Sequence, residues 1–178
     1  MTLVTFAVGA SGAAASGTEA SGTIALRAEA NASVTRIVTL ESSVIREINA
    51  VRSSRGLARL TRSSALTRTA FGHSFAMATA GFFTHESQDG TPFWRRVRQL
   101  YGRHTQGWTV GENLAMFGGT PPTADGIVSA WMASPPHRAN LLRPVFREAG
   151  VGIAFNPSAG GVFGDGPTWV ITLDIGRR

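Results

Sequence analysis

Apolar side chains recur with two different periods along this chain, helical through the middle and strand-like at the end. The stretch ESSVIREINAVRSSRGL, starting at Glu41, sets Val44, Ile48 and Val51 at helical spacing and stops at Gly56, which predicts a first helix. A second begins near Ser63, with Leu66, Ala70, His73 and Met77 on one stripe, Phe71, Phe75 and Ala78 beside it, and Gly81 at its end. A third follows the Asp89-Gly90 turn, with Thr91 as its N-cap, Pro92 at its first position and Phe93, Val97 and Leu100 along one face. The glycine-rich run GWTVGENLAMFGGTPP reads as a shaped loop. A fourth helix from about Thr123 buries Ile127, Val128 and Trp131 and runs into Pro135-Pro136, beyond which the helical pattern resumes. AGVGIAF and PTWVITLDIG are short β-branched runs separated by a glycine-rich segment with Asp165-Gly166, the pattern of an antiparallel hairpin. Helices first and strands last predict an α+β layered domain with an antiparallel sheet inside.

Composition adds limits. The chain has 178 residues, 43% of them hydrophobic, which suits one domain plus a spare segment. That segment is residues 1–40, rich in Ala, Gly, Ser and Thr and read as signal-like sequence and flexible linker, leaving 41–178 as the domain. Its TLVTFAVGA run and the small residues Ala13 to Ala15 fit the later part of an export signal, although the first arginine is Arg27. The expected location is therefore extracellular. No run approaches the roughly 20 apolar residues of a membrane span. All 17 basic residues are arginine and the net charge is +6, a general attraction to anionic polymers or lipid head groups. Without arginine-aromatic interleaving or a long basic run, that charge does not argue for nucleic acid. With no cysteine, thiol chemistry and cysteine-zinc sites are excluded.

Four histidines narrow the search for chemistry. His73 lies on the inward stripe of its helix and reads as a hydrogen-bonded core residue; His104 sits in a polar loop. His85 and His137 occupy irregular backbone pinned by bulky neighbours, two phenylalanines before one and two prolines before the other. Glu112 is a lone carboxylate in the apolar, glycine-rich VGENLAMFGG and must find a cation or donors if buried. Were His85, Glu112 and His137 to converge, they would form a divalent-metal set with open positions; otherwise Glu112 caps its own turn. The H-E-x-x-H, G-x-S-x-G and phosphate-loop patterns are absent.

The blocks FFTHESQDGTPFWRRV, GENLA, WMASPPHRANLL, EAGVGIAF and WVITLDIG, in that order, resemble a bacterial SCP-like domain of the CAP superfamily over residues 41 to 178. The resemblance implies a three-layer α-β-α sandwich with a central antiparallel sheet. It also implies a cleft of two histidines and two glutamates that holds zinc in some members, with His85, Glu112 and His137 matching three of the four. The second glutamate falls at Ser134, so the ligand cleft would comprise His85, Glu112, Ser134 and His137, with the histidines, and Glu112 beside them, as the zinc ligands. From this follow three functional expectations. The first is a secreted binding module for a small hydrophobic, lipid or anionic cell-envelope ligand; the second is a metal-dependent hydrolase using His85, Glu112 and His137. The third is a non-catalytic structural or interaction domain.

Overall fold

The computed structural model describes residues 34–102 and 107–178; the signal-like segment and His104 lie outside the described residues. In chain order the elements are β1 (Thr35–Arg36), α1 (Val38–Ser53), β2 (Thr61–Arg62), α2 (Ser64–Ala80), α3 (Phe93–Arg98), β3 (Thr109–Gly118), α4 (Ala124–Ala133), α5 (Pro135–Leu142), β4 (Glu148–Asn156) and β5 (Thr168–Arg177). A single 3-10 turn, Gly161–Phe163, sits between the last two strands. Sheet order is β1-β4-β5-β3 with antiparallel pairing, and two-residue β2 adds a parallel bridge to β4.

Local chemistry explains most boundaries. Ser63 caps α2 by accepting the Leu66 N–H, and Gly81 ends it in the left-handed region at φ 70°. Thr123 caps α4 through the Gly126 N–H. Pro135 and Pro136 sit at the first positions of α5, where a missing N–H costs no helix bond. They therefore break the helical path between α4 and α5 and start the second helix.

Alternation along the strands separates two cores, one on each face of the sheet. Val151, Ile153, Ile171, Leu173 and Ile175 meet Val44 and Ile48 of α1, Ile127, Val128 and Trp131 of α4 and Leu141 of α5. On the other face Ala154 and Val170 pack with Leu114 against Met77 and Ala78 of α2, and Val97 of α3 joins Leu66 and Tyr101. The fold is thus the expected three-layer α-β-α sandwich. The GVG block has a physical cause: a Cβ at Gly150 would overlap the Thr67 nitrogen, and one at Gly152 the Phe71 nitrogen. Helix α2 lies directly on the β4 backbone, and Ser74 Oγ donates to the Gly152 carbonyl at 2.9 Å.

Three sequence expectations change. The run 107–122 is not a shaped loop: its centre is the ten-residue strand β3, paired with β5 from Thr109↔Arg177 to Gly118↔Thr168. Its buried Glu112 and Asn113 and its glycines hid the two-residue period. Residues 35–40, read as linker, form β1 and the first turn of α1, with β1 paired to Ala154 and Phe155. Leu100 is not on a buried helix face; it lies beyond α3 and is 47% exposed.

Candidate functional site

Edge strand β3 carries the centre of the site. Glu112 lies on the α2/α3 face of the sheet and is 4% exposed. Both of its oxygens are taken: His85 Nδ1 donates to Oε1 at 2.9 Å, and the Arg96 guanidinium pairs with Oε2. Arg96, on α3, also donates to Ser87 Oγ at 3.0 Å and to the His85 carbonyl at 3.3 Å, tying the loop after α2 to the carboxylate. His85 keeps 45% of its side chain exposed and packs near Phe93, with ring centroids 6.3 Å apart. With Nδ1–H given to Glu112, Nε2 is the ring atom left for a ligand.

His137 reaches the site from the other layer. It stands in the first turn of α5, which packs on the opposite face of the sheet from α2 and α3, and so approaches His85 around the free edge of β3. Asn113 Nδ2 donates to the His137 carbonyl at 3.0 Å; Asn140 Nδ2 donates to the Glu112 carbonyl at 3.1 Å and to Asn113 Oδ1 at 2.9 Å. Trp131 Nε1 donates to the Leu114 carbonyl at 2.9 Å. Side chains thus satisfy an edge that would otherwise present bare backbone. Burial lowers the His137 pKa, and the neighbouring His85 lowers it further, which favours a neutral imidazole at pH 7. Ser134 joins the site only through its backbone, ending α4 with its N–H on the Trp131 carbonyl and opening α5 by accepting from Arg138. Its hydroxyl makes no hydrogen bond among the described residues.

Two residues were missed by sequence reasoning. Arg96 is the cation that a buried Glu112 required, but in FWRRVR nothing separated it from its neighbours. Asp174 stands directly across from Glu112 in the β3–β5 register and is wholly buried. Thr69 Oγ1 is hydrogen-bonded to its Oδ2, while Oδ1 has no partner among the described residues. Burial, and then the charge of Glu112, raise its pKa well above the usual carboxylate value, favouring the protonated acid. The one available signal was a carboxylate inside the β-branched run WVITLDIG. His73, expected in the core, is 1% exposed and donates from Nε2 to the Thr84 carbonyl at 2.8 Å, fixing the loop that carries His85.

Glu112 itself is poorly placed as a zinc ligand, since a metal on it would have to displace His85 or sit against the Arg96 guanidinium; the Nε2 atom of His85 is left open by that pairing. Among the described residues no three His, Asp or Glu side chains are grouped to hold an ion.

The model of the cysteine-rich secretory protein family, CAP, matches residues 45–172. The uncharacterized protein YkwD of Bacillus subtilis (strain 168) is 35% identical over 113 residues, 63% of this chain and 41% of that protein. The uncharacterized membrane protein YlbC of the same organism is 30% identical over 115 residues, 65% of this chain and 32% of its own length. The chain therefore spans less than half the length of these curated relatives. Among solved structures, an extracellular protein containing an SCP domain from Bacillus anthracis str. Ames matches with TM-score 0.60 and 24% identity, over 79% of this chain and 41% of that one. An outer surface protein from Borrelia burgdorferi matches with TM-score 0.62 and 18% identity, over 81% of this chain and 98% of that one. At that identity the two structures establish the fold alone. Among the described residues no helix is long and apolar enough to cross a membrane.

Proposed function

The chain belongs to the cysteine-rich secretory protein (CAP) family, and from that premise we propose that its domain is an exported binding module whose cleft takes the polar head of an amphipathic cell-envelope molecule. The observation that carries this reading is the closure of Glu112 by Arg96 and His85. With both oxygens already engaged, Glu112 could bind a metal or take a proton only by giving up Arg96 or His85, which argues against metal-dependent hydrolysis through this carboxylate. What remains for a partner is His85 Nε2, an acceptor for a hydroxyl when neutral and a donor to an acid when protonated. Exposed apolar side chains lie on the same elements: Trp94 on α3, which carries Arg96, is 40% exposed, and Met116 on β3, on the strand face of Glu112, is 50% exposed. Isolated exposed side chains mean little, but exposed apolar groups on both elements that build a polar site suit an amphipathic ligand.

Calorimetric titration with palmitate and with zinc chloride tests this reading. Palmitate binding is expected to weaken about tenfold in His85→Ala, about 1.4 kcal/mol, and zinc is expected to give no saturable heat at micromolar concentration. Micromolar zinc binding that disappears in the His85→Ala, His137→Ala double variant would overturn the proposal in favour of a metal centre.

A further inference from the structure

A second site lies at the opposite edge of the sheet from Glu112. Strand β5 occupies one edge of β4, so β1 and β2 share the other, β1 at Ala154–Phe155 and β2 at Glu148–Ala149. In the gap between them lies the carboxylate of Glu41, fully buried, which accepts the Ile153 N–H at 3.2 Å. Arg36 grips both of its oxygens at 2.8 Å and lies over the Phe71 ring, 4.8 Å from its centroid. Arg62 approaches the same carboxylate only to 3.7 Å and keeps 44% of its side chain exposed. Arg68, on the first turns of α2, is exposed and makes no hydrogen bond or ion pair among the described residues. Together with Ser64 and Thr67, these three arginines line a surface cleft of about 350 Å3.

We propose that this cleft binds a phosphoryl oxyanion. Three guanidinium groups against one carboxylate leave two positive charges in excess, and none of the five lining residues is acidic. A carboxylate ligand would balance half of that excess; a phosphate dianion balances it all, and its oxygens match the paired N–H groups of a guanidinium. The division of labour supports the assignment. Arg36 is committed to Glu41 and the fold, Arg62 is held only by a 3.4 Å hydrogen bond to Ser42 Oγ and its 3.7 Å approach to Glu41, and Arg68 is free to turn toward a ligand. The volume stands at the lower end of small-molecule sites and exceeds a bare phosphate, so the phosphoryl group is one carried on a larger molecule, such as a lipid head group or a soluble phosphorylated compound.

The test compares wild type, the Arg62→Gln, Arg68→Gln variant and a control losing the same charge elsewhere, Arg98→Gln with Arg138→Gln. The probes are inorganic phosphate and vesicles of phosphatidic acid, a phosphomonoester, or phosphatidylcholine, at about 0.15 M salt to screen long-range attraction. Wild type is expected to bind, with a loss of tenfold or more in the cleft variant and little change in the control. Binding to phosphatidic acid vesicles alone assigns the group to a lipid surface, and binding to phosphate alone assigns it to a soluble ligand. An equal loss in both variants, or no saturable binding of either probe, overturns the proposal. Single Arg68→Gln, whose side chain supports nothing in the fold, repeats the test should the double variant unfold.

Discussion

Asp174 shows what one buried acid does to the pH dependence of this domain. Unfolded, its carboxyl ionises near pH 3.9; folded, burial and Glu112 keep it protonated well above that. Through that interval the native state holds a proton that the unfolded chain has released, so this group's contribution to stability falls as pH rises. Asp174→Asn keeps the shape and the bond to Thr69 but cannot ionise. It is expected to equal wild type near pH 4 and to gain on it toward pH 8 in thermal midpoint; a difference that stays constant across the range would refute the assignment. His73 and His137 act with the opposite sign. Burial depresses both, so they cost stability as pH falls below about 6.5, where the unfolded imidazoles take up protons first. At this scale the sequence was half legible. His85 and Glu112 stood out because irregular backbone and an apolar setting made them odd, and they do hydrogen-bond. Arg96 and Asp174 were silent, because a pairing across 16 residues or across a strand register leaves no local pattern.

Among the elements, α2 and β4 make the tightest contact, and glycine decides it. Gly150→Ala or Gly152→Ala must push α2 away from the sheet, since the obstructing atoms belong to helix backbone and cannot rotate aside. Overpacking of this kind typically costs about 1–3 kcal/mol, and a loss at or above the top of that range is expected in denaturant midpoints. Gly72→Ala is the internal control. It lies in the same helix, is exposed, and its Cβ would meet nothing within 4 Å. Removing a helix-interior glycine should there stabilise by about 0.5–1 kcal/mol, and a destabilisation at this position would discredit the packing argument for the other two. The helices and the β4–β5 hairpin were readable because their apolar positions keep one period. Strand β3 was not, since Gly111, Glu112 and Asn113 occupy three successive buried positions for the sake of the site, with the Asn140 side chain against Gly111 and an ion pair on Glu112.

Across the whole molecule, the helix that carries His137 is anchored by a residue far from it in sequence. Arg52 of α1 is fully buried with no carboxylate partner among the described residues, and burial lowers its pKa. Its guanidinium instead donates to the carbonyls of Ala58 at 2.9 Å, Leu141 at 2.7 Å, Arg143 at 3.2 Å and Phe146 at 3.3 Å. Leu141 lies in the last turn of α5 and Arg143 and Phe146 follow it, so one cation gathers the carbonyls at this helix terminus and holds the helix bearing His137 against the first core. The order of helices and strands made the layering legible, but this clamp joins positions about 90 residues apart and the β1–β4 pairing joins positions about 120 apart, and periodicity carries no trace of either. Arg52→Met fills similar volume while leaving the Ala58 and Leu141 carbonyls without this donor; Arg143 keeps the Phe146 N–H and Phe146 keeps Arg147. With each unpaired buried carbonyl costing about 1–3 kcal/mol and water recovering part of that, a net loss of about 3–5 kcal/mol is expected. The loss should not be uniform. Amide exchange should rise in residues 135–146 more than in α2, because only the α5 end loses its anchor, and palmitate affinity should fall with it although no cleft residue has changed. Destabilisation spread evenly over both layers, with ligand affinity intact in the folded fraction, would show that Arg52 serves the core alone and that α5 is positioned by β3 without it.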